Sequence, residues 1–186
     1  MAPRRKLYAP EKLDVACGQN KQEGFTGIDI AGNCDIVHDL TVYPWPIRDN
    51  SVSEVFCSHY VEHIPHAVSG HSNDGWWLFF DELHRICKAD ATVKMIHPYA
   101  KSDRAFWDPT HTRYIHETTW YYLDKNWREA QGLDHYQTSC DYEVALISGA
   151  GIADKFATRH HEQQAYAREH YWNVIPDLIV DLKVRK

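Results

Sequence analysis

Residues 57–66 read CSHYVEHIPH and bring His59, Glu62, His63 and His66 into one short stretch. His59-Tyr60-Val61-Glu62-His63 spells H-x-x-E-H. That spacing can put two imidazoles on one helix face as zinc ligands, with the glutamate between them as a base. A zinc hydrolase of this kind also needs a third ligand from elsewhere in the chain. The same side chains can instead move protons, because a neutral imidazole accepts one near neutral pH. A second cluster, DPTHTRY at 108–114, offers His111 with Asp108 and Arg113 close by in sequence. The region 99–136 adds Phe106, Trp107, Tyr114, Trp120, Tyr121, Tyr122, Trp127 and Tyr136, rings that can stack on an acceptor or fill a small core. Residue types alone leave metal and proton chemistry both open.

The elements that must position these groups alternate. Lys12-Leu13-Asp14-Val15-Ala16 is an apolar run stopped at Cys17-Gly18, and reads as a buried strand. Phe25–Ile30 and Cys34–His38 are two more such runs. Residues 42–50 hold two prolines and an Asp-Asn-Ser turn signal, so they form a loop. Ser53–Cys57 is a fourth strand and leads directly into H-x-x-E-H. Residues 75–88 carry Trp76, Phe79, Phe80, Leu83, Ile86 and Cys87 at helical spacing, which predicts an amphipathic helix. Thr92–Ile96 is a fifth strand, closed by Pro98. Tyr142–Ile147 and Leu178–Val184 are late strands, and the polar stretch between them, 148–173, is partly helical. The alternation predicts an α/β fold with a mostly parallel sheet, helices on its faces and an antiparallel pair at the end.

Composition narrows the class of protein. The chain has 186 residues, 44% of them hydrophobic and 25% charged, which suits one soluble domain over 1–186. No apolar run spans a membrane, and no apolar stretch follows the basic N-terminal residues as in a secretory signal. Five cysteines without paired spacing predict reduced, mostly buried thiols and a cytoplasmic setting. A net charge of -6, with no basic cluster beyond Arg4-Arg5-Lys6, argues against a nucleic-acid partner.

Several of these segments, in order, resemble the class I S-adenosylmethionine (SAM) dependent methyltransferases, most closely the subgroup called methyltransferase type 11-like. LDVACG (13–18) is similar to the first motif of that family, and GIDI (27–30) to its second-strand motif. HDL (38–40), WPIRDNSVSEVFCSHYVEHI (45–64), ELHRICKADATVKMIHPY (82–99) and DPTHTRYI (108–115) follow in family order. The resemblance covers residues 12–123 and, more weakly, the last strand. It implies a Rossmann-like fold with a seven-stranded sheet, and SAM as methyl donor with S-adenosylhomocysteine as product. It also implies a cofactor site outside the carboxyl ends of the strands. In that site Asp29 grips the two ribose hydroxyls, with Ile30 beside it. Asp39 and the Leu40 backbone meet the adenine, while Asp14, Ala16, Cys17 and Gly18 form the first-strand turn. Ser58 and His59 border the methyl donor.

One departure is visible. Where the family has three alternating glycines, this chain has Ala16, Gly18 and Asn20. The segment 19–26 is too short for a helix before the second strand, so a turn replaces the helix N-terminus that would face the cofactor carboxylate. Lys21 on this turn either supplies the missing positive charge or is an ordinary exposed lysine. The resemblance also assigns Glu62 and His63 a partly structural role, and Pro65 limits any helix here. The expectation is therefore no bound metal. Methyl transfer to a hydroxyl needs positioning and a base, for which His111 is the choice. Asp108 would hold the other His111 ring nitrogen, and His59 would orient acceptor or donor. Segments 99–136 and 148–173 are then caps over a small-molecule or glycan-like acceptor. Two alternatives stay open: a SAM-binding protein without catalysis, and the zinc hydrolase.

Overall fold

The computed structural model describes residues 6–186; the Arg4-Arg5 pair lies outside the described residues. Seven strands form one sheet in the order β3-β2-β1-β4-β5-β7-β6. These are β1 (Lys12–Val15), β2 (Thr26–Asp29), β3 (Ile36–Val37), β4 (Val52–Ser58), β5 (Cys87–Pro98), β6 (Tyr142–Gly149) and β7 (Asp177–Val184). The first five pair in parallel, while β7 runs antiparallel to both β5 and β6. This is the expected fold class, a mostly parallel seven-stranded α/β sheet with an antiparallel last strand.

Period-two alternation decides which side chains enter the core. Leu13, Val55, Val93 and Leu182 stand in register across β1, β4, β5 and β7, and all four are buried. Helix α1 (Gly75–Ile86) starts where the Asp74 carboxylate accepts from the Trp76 N–H. It buries Trp76, Phe79, Phe80, Leu83 and Ile86. It ends two residues earlier than the periodicity predicts, because Cys87 is already extended and opens β5. The alternate residues on the strands are polar: Lys12 pairs with Glu54 across β1 and β4, and Lys94 with Asp181 across β5 and β7. That face is half-exposed, and both β1–β2 and β2–β3 are joined by turns rather than helices.

Short helices fill the remaining connections. Between β5 and β6 lie α2 (Arg104–Trp107), α3 (Glu117–Tyr121) and α4 (Lys125–Ala130); between β6 and β7 lie α5 (Asp154–Ala157) and α6 (His161–His170). Part of the aromatic supply of 99–136 is core, as Trp120 is fully buried against Phe80 and Trp76. Trp107 and Tyr114 are exposed. All five cysteines are free, four of them buried. Among the described residues no helix is long and apolar enough to cross a membrane.

Candidate functional site

From β1 the chain steps outward to β2 and β3, then returns to β4 on the other side of β1. This leaves a crevice between the carboxyl ends of β1 and β4, where ligands of open parallel sheets bind. Two non-glycine residues adopt the left-handed conformation there: Ala16 after β1 (φ 57) and His59 after β4 (φ 54). Such backbone costs roughly 1–3 kcal/mol and clusters at functional sites.

Around the β1 end the expected residues are together. Gly18 (φ 51) donates its N–H to Asp29 Oδ2 at 2.9 Å, and Ala31 N donates to Oδ1 at 2.8 Å. The Asp29 carboxylate thus ties the two strand ends together and keeps further lone pairs on both oxygens. Buried Asp14 accepts from Gln22 N at 2.6 Å, and burial pushes its carboxyl above the usual range. Burial likewise pushes the Cys17 thiol up to about 11, so it is no thiolate nucleophile. Asn20 N closes the turn on Cys17 O at 3.2 Å. Lys21 is engaged elsewhere, with Nζ 2.7 Å from Asp35 Oδ2. Ile30 is 70% exposed, an apolar side chain left open beside Asp29. Asp39 Oδ1 accepts from the N–H and hydroxyl of Thr41, and the hydroxyl holds the carboxyl below its usual range. Leu40 is buried, with its carbonyl accepting from Trp45 Nε1.

The β4 end carries the histidine chemistry. Ser58 closes the strand, and His59 N donates to Ile96 O at 2.8 Å. Residues Val61–His63 form a single 3-10 turn. His59 and His63 therefore do not share an α-helical face, and the zinc-hydrolase geometry that H-x-x-E-H needs is not formed. His59 Nδ1 instead lies 3.4 Å from Glu62 Oε1, and that carboxylate pulls the imidazole above its ordinary range.

Tertiary packing adds the second cluster. Thr112 N and Arg113 N both donate to Glu62 O, and Thr112 Oγ1 and Arg113 Nε donate to Ile64 O. These bonds strap the 108–113 loop onto 62–64 and bring the His111 ring 4.7 Å, centroid to centroid, from the His63 ring. The expected Asp108–His111 pair does not form. His111 Nδ1 is held by Ala105 O at 2.8 Å. Asp108 Oδ1 accepts from Thr110 N and Oγ1, bonds that keep its carboxyl below the usual range. A backbone carbonyl wins because Asp108 is one turn too close in sequence: its loop closes on Thr110 first, as Asx turns do.

Sequence reasoning gave Glu62 and His63 a minor part and missed Asp177 and Arg104. Asp177 opens β7 opposite Pro98, with Arg104 Nε 3.2 Å from its Oδ1, and burial raises its carboxyl. The signal was available: an antiparallel strand begins at the end where its parallel neighbours finish. A cleft of about 830 Å³ shares Thr112 and Arg113 with this region. Trp76, Trp77, Tyr114, Tyr122 and Tyr136 line it.

No protein-family model matches the chain, and neither does any curated protein. Solved structures do match its fold. A SAM-dependent methyltransferase from Archaeoglobus fulgidus aligns over 92% of this chain and 85% of its own, with TM-score 0.57 and 19% identity. One from Methanosarcina mazei aligns over 96% and 94%, with TM-score 0.55 and 12% identity. A geranyl diphosphate C-methyltransferase from Streptomyces coelicolor, solved with Mg2+, geranyl-S-thiolodiphosphate and S-adenosylhomocysteine, aligns over 96% and 71%, with TM-score 0.51 and 10% identity. The fold is thus the Rossmann-like fold of class I methyltransferases.

Proposed function

We propose that the protein is a SAM-dependent methyltransferase that acts on a small-molecule or glycan-like acceptor. The observation that carries this reading is the paired Gly18 turn and Asp29 carboxylate at the carboxyl ends of β1 and β2, next to the β1–β4 crevice. The residues fit the donor: a Cβ placed on Gly18 meets no atom within 4 Å, so the turn faces open space. Asp29 has lone pairs for two hydroxyls, and exposed Ile30 offers an apolar surface to a flat ring. Asp14, Ala16, Cys17, Gly18, Asn20, Asp29, Ile30, Asp39, Leu40, Ser58 and His59 make up the donor site. Lys21, held by Asp35, is the weakest member.

When bound, SAM supplies a methyl group already activated by its sulfonium. The chain's own task is to position the acceptor and receive its proton. Of the expected trio His59, Asp108 and His111, His111 has the free Nε2 lone pair, since its Nδ1–H is spent on Ala105 O. Asp108 acts through Thr110. The aromatic cleft, rimmed by Arg113 and Asp74, suits a ring- or sugar-like acceptor, with part of 99–136 as its wall; the expected second cover, 148–173, contributes none of the lining. Five free thiols and a net charge of -6 favour a cytoplasmic protein without a nucleic-acid partner.

Titration calorimetry with SAM and S-adenosylhomocysteine tests the reading. Asp29→Ala removes the carboxylate from partly buried hydroxyls and should weaken SAM by about 1–3 kcal/mol. Unchanged affinity in that variant rejects the donor site. The missing helix after β1 favours one other reading, a SAM-binding protein without catalysis; binding without methylation of any ring-bearing alcohol would select it.

A further inference from the structure

We infer that Glu62, His63 and His111 form a site for one first-row divalent cation, zinc or its close neighbours. The Glu62 side chain is 2% exposed, and neither carboxylate oxygen has a hydrogen-bond partner among the described residues. Its nearest charge, His59 Nδ1 at 3.4 Å, is not aligned as a hydrogen bond. A buried carboxylate without donors is costly unless a cation completes its surroundings. Candidate ligand atoms of Glu62, His63 and His111 already lie within 4.8 Å of one another. Ligands on one zinc ion stand closer than that, so roughly 1 Å of side-chain movement closes the site.

Both rings are oriented as ligands. His111 donates Nδ1–H to Ala105 O, which leaves Nε2 as a lone pair. His63 is oriented by a relay. Thr110 Oγ1 gives its one hydrogen to Asp108 Oδ1 at 2.7 Å, so it must accept from His63 Nδ1–H at 3.0 Å. Nε2 of His63 is a lone pair too. Carbonyls and carboxylates that hold the far nitrogen of an imidazole are the usual outer shell of a metal site. Two imidazoles and one carboxylate leave coordination positions open, as catalytic zinc and iron(II) sites do, and they disfavour magnesium or calcium. His63 and His111 are each half-exposed, which keeps those positions open to solvent.

The site stands independently of the methyltransferase reading; its use rests on that reading. A cation there would bind the acceptor oxygen and make its proton acidic enough to pass to solvent; with the cation bound His111 is a ligand, and it serves as the base only in the metal-free protein.

The test begins with protein stripped by a chelator and titrated with ZnCl2 by calorimetry, with MgCl2 as comparison. One equivalent of zinc binds, magnesium does not compete, and the thermal midpoint rises by roughly 5–10 °C at a hundredfold excess over Kd. His63→Gln and His111→Gln, which keep side-chain bulk, each weaken zinc roughly tenfold or more. His160→Ala, remote and exposed, leaves it unchanged. Glu62→Gln, which keeps the bulk and loses the charge, also weakens zinc roughly tenfold or more. The inference is overturned if no stoichiometric zinc binds, if the His63→Gln/His111→Gln double variant still binds it, or if His160→Ala lowers it equally. It also falls if Glu62→Gln binds zinc as tightly as wild type; methyl transfer that survives a chelator overturns the use of the site and not the site. SAM affinity, measured separately through Asp29, fails or holds without touching these outcomes.

Discussion

Acid should destabilise this protein through one buried ring. His97 on β5 is 0% exposed. It donates Nδ1–H to Pro98 O at 2.9 Å and accepts from Trp120 Nε1 at 3.2 Å through Nε2. Both ring nitrogens are spoken for by the neutral form. A second proton would meet the indole N–H head-on. Burial pushes the imidazolium down to about 4, from an ordinary value near 6.5. The folded pKa lies below the unfolded one, so the unfolded chain takes up the proton first as pH falls. The contribution is fully present above about pH 6.5 and is lost between there and about pH 4. From these two values the loss is about 2 kcal/mol on going from pH 7 to pH 5, and about 3 kcal/mol at the limit. Urea unfolding of wild type and His97→Gln at pH 7 and pH 5 measures it. Other titrating groups are common to both proteins and cancel in the comparison. Wild type should lose about 2 kcal/mol more than the variant over this interval. An equal loss in both would refute the assignment of a neutral, doubly bonded His97.

Further outcomes follow from packing. A Cβ on Gly75 would meet Pro65 O at 2.1 Å, a backbone atom that cannot turn aside. Gly75→Ala should therefore cost about 2 kcal/mol or more in urea unfolding, and by shifting 64–66 it should also weaken zinc. Arg85 binds the Glu82 carboxylate at 2.6 and 2.9 Å, the Ile47 carbonyl and Asp49. Glu82 is buried and also accepts from Trp45 N. Arg85→Met should cost about 3 kcal/mol at pH 7, and Glu82→Gln added to it should return part of that loss.

Local chemistry made much of the fold readable in the sequence alone. Leu13–Val15, Ile28 and Val55–Cys57 are short apolar runs bounded by turn residues, and such runs become buried strands whatever surrounds them. The spacing of Trp76, Phe79, Phe80 and Leu83 specifies a helix by the same local logic. Asp29, Gly18 and His59 were placed correctly at strand ends because a strand end is a local feature. The lack of a helix after β1 was legible as a simple shortage of residues.

Only the tertiary structure decided what the histidines meet. Thr110 and His63 are 47 positions apart, and nothing in periodicity links them. Their approach depends on Thr112 and Arg113 bonding to the Glu62 and Ile64 carbonyls, a contact between two loops. The same closure gave Ala105, rather than Asp108, to His111. It left Glu62 buried without a donor, although its position in the first turn after β4 suggests an ordinary helix-start acid. Asp177 and Arg104 met only because β7 runs antiparallel and begins where β5 ends. Side-chain identity fixes what each group can do; which groups share a proton or a cation is set by loop packing, which hydrophobic pattern does not encode.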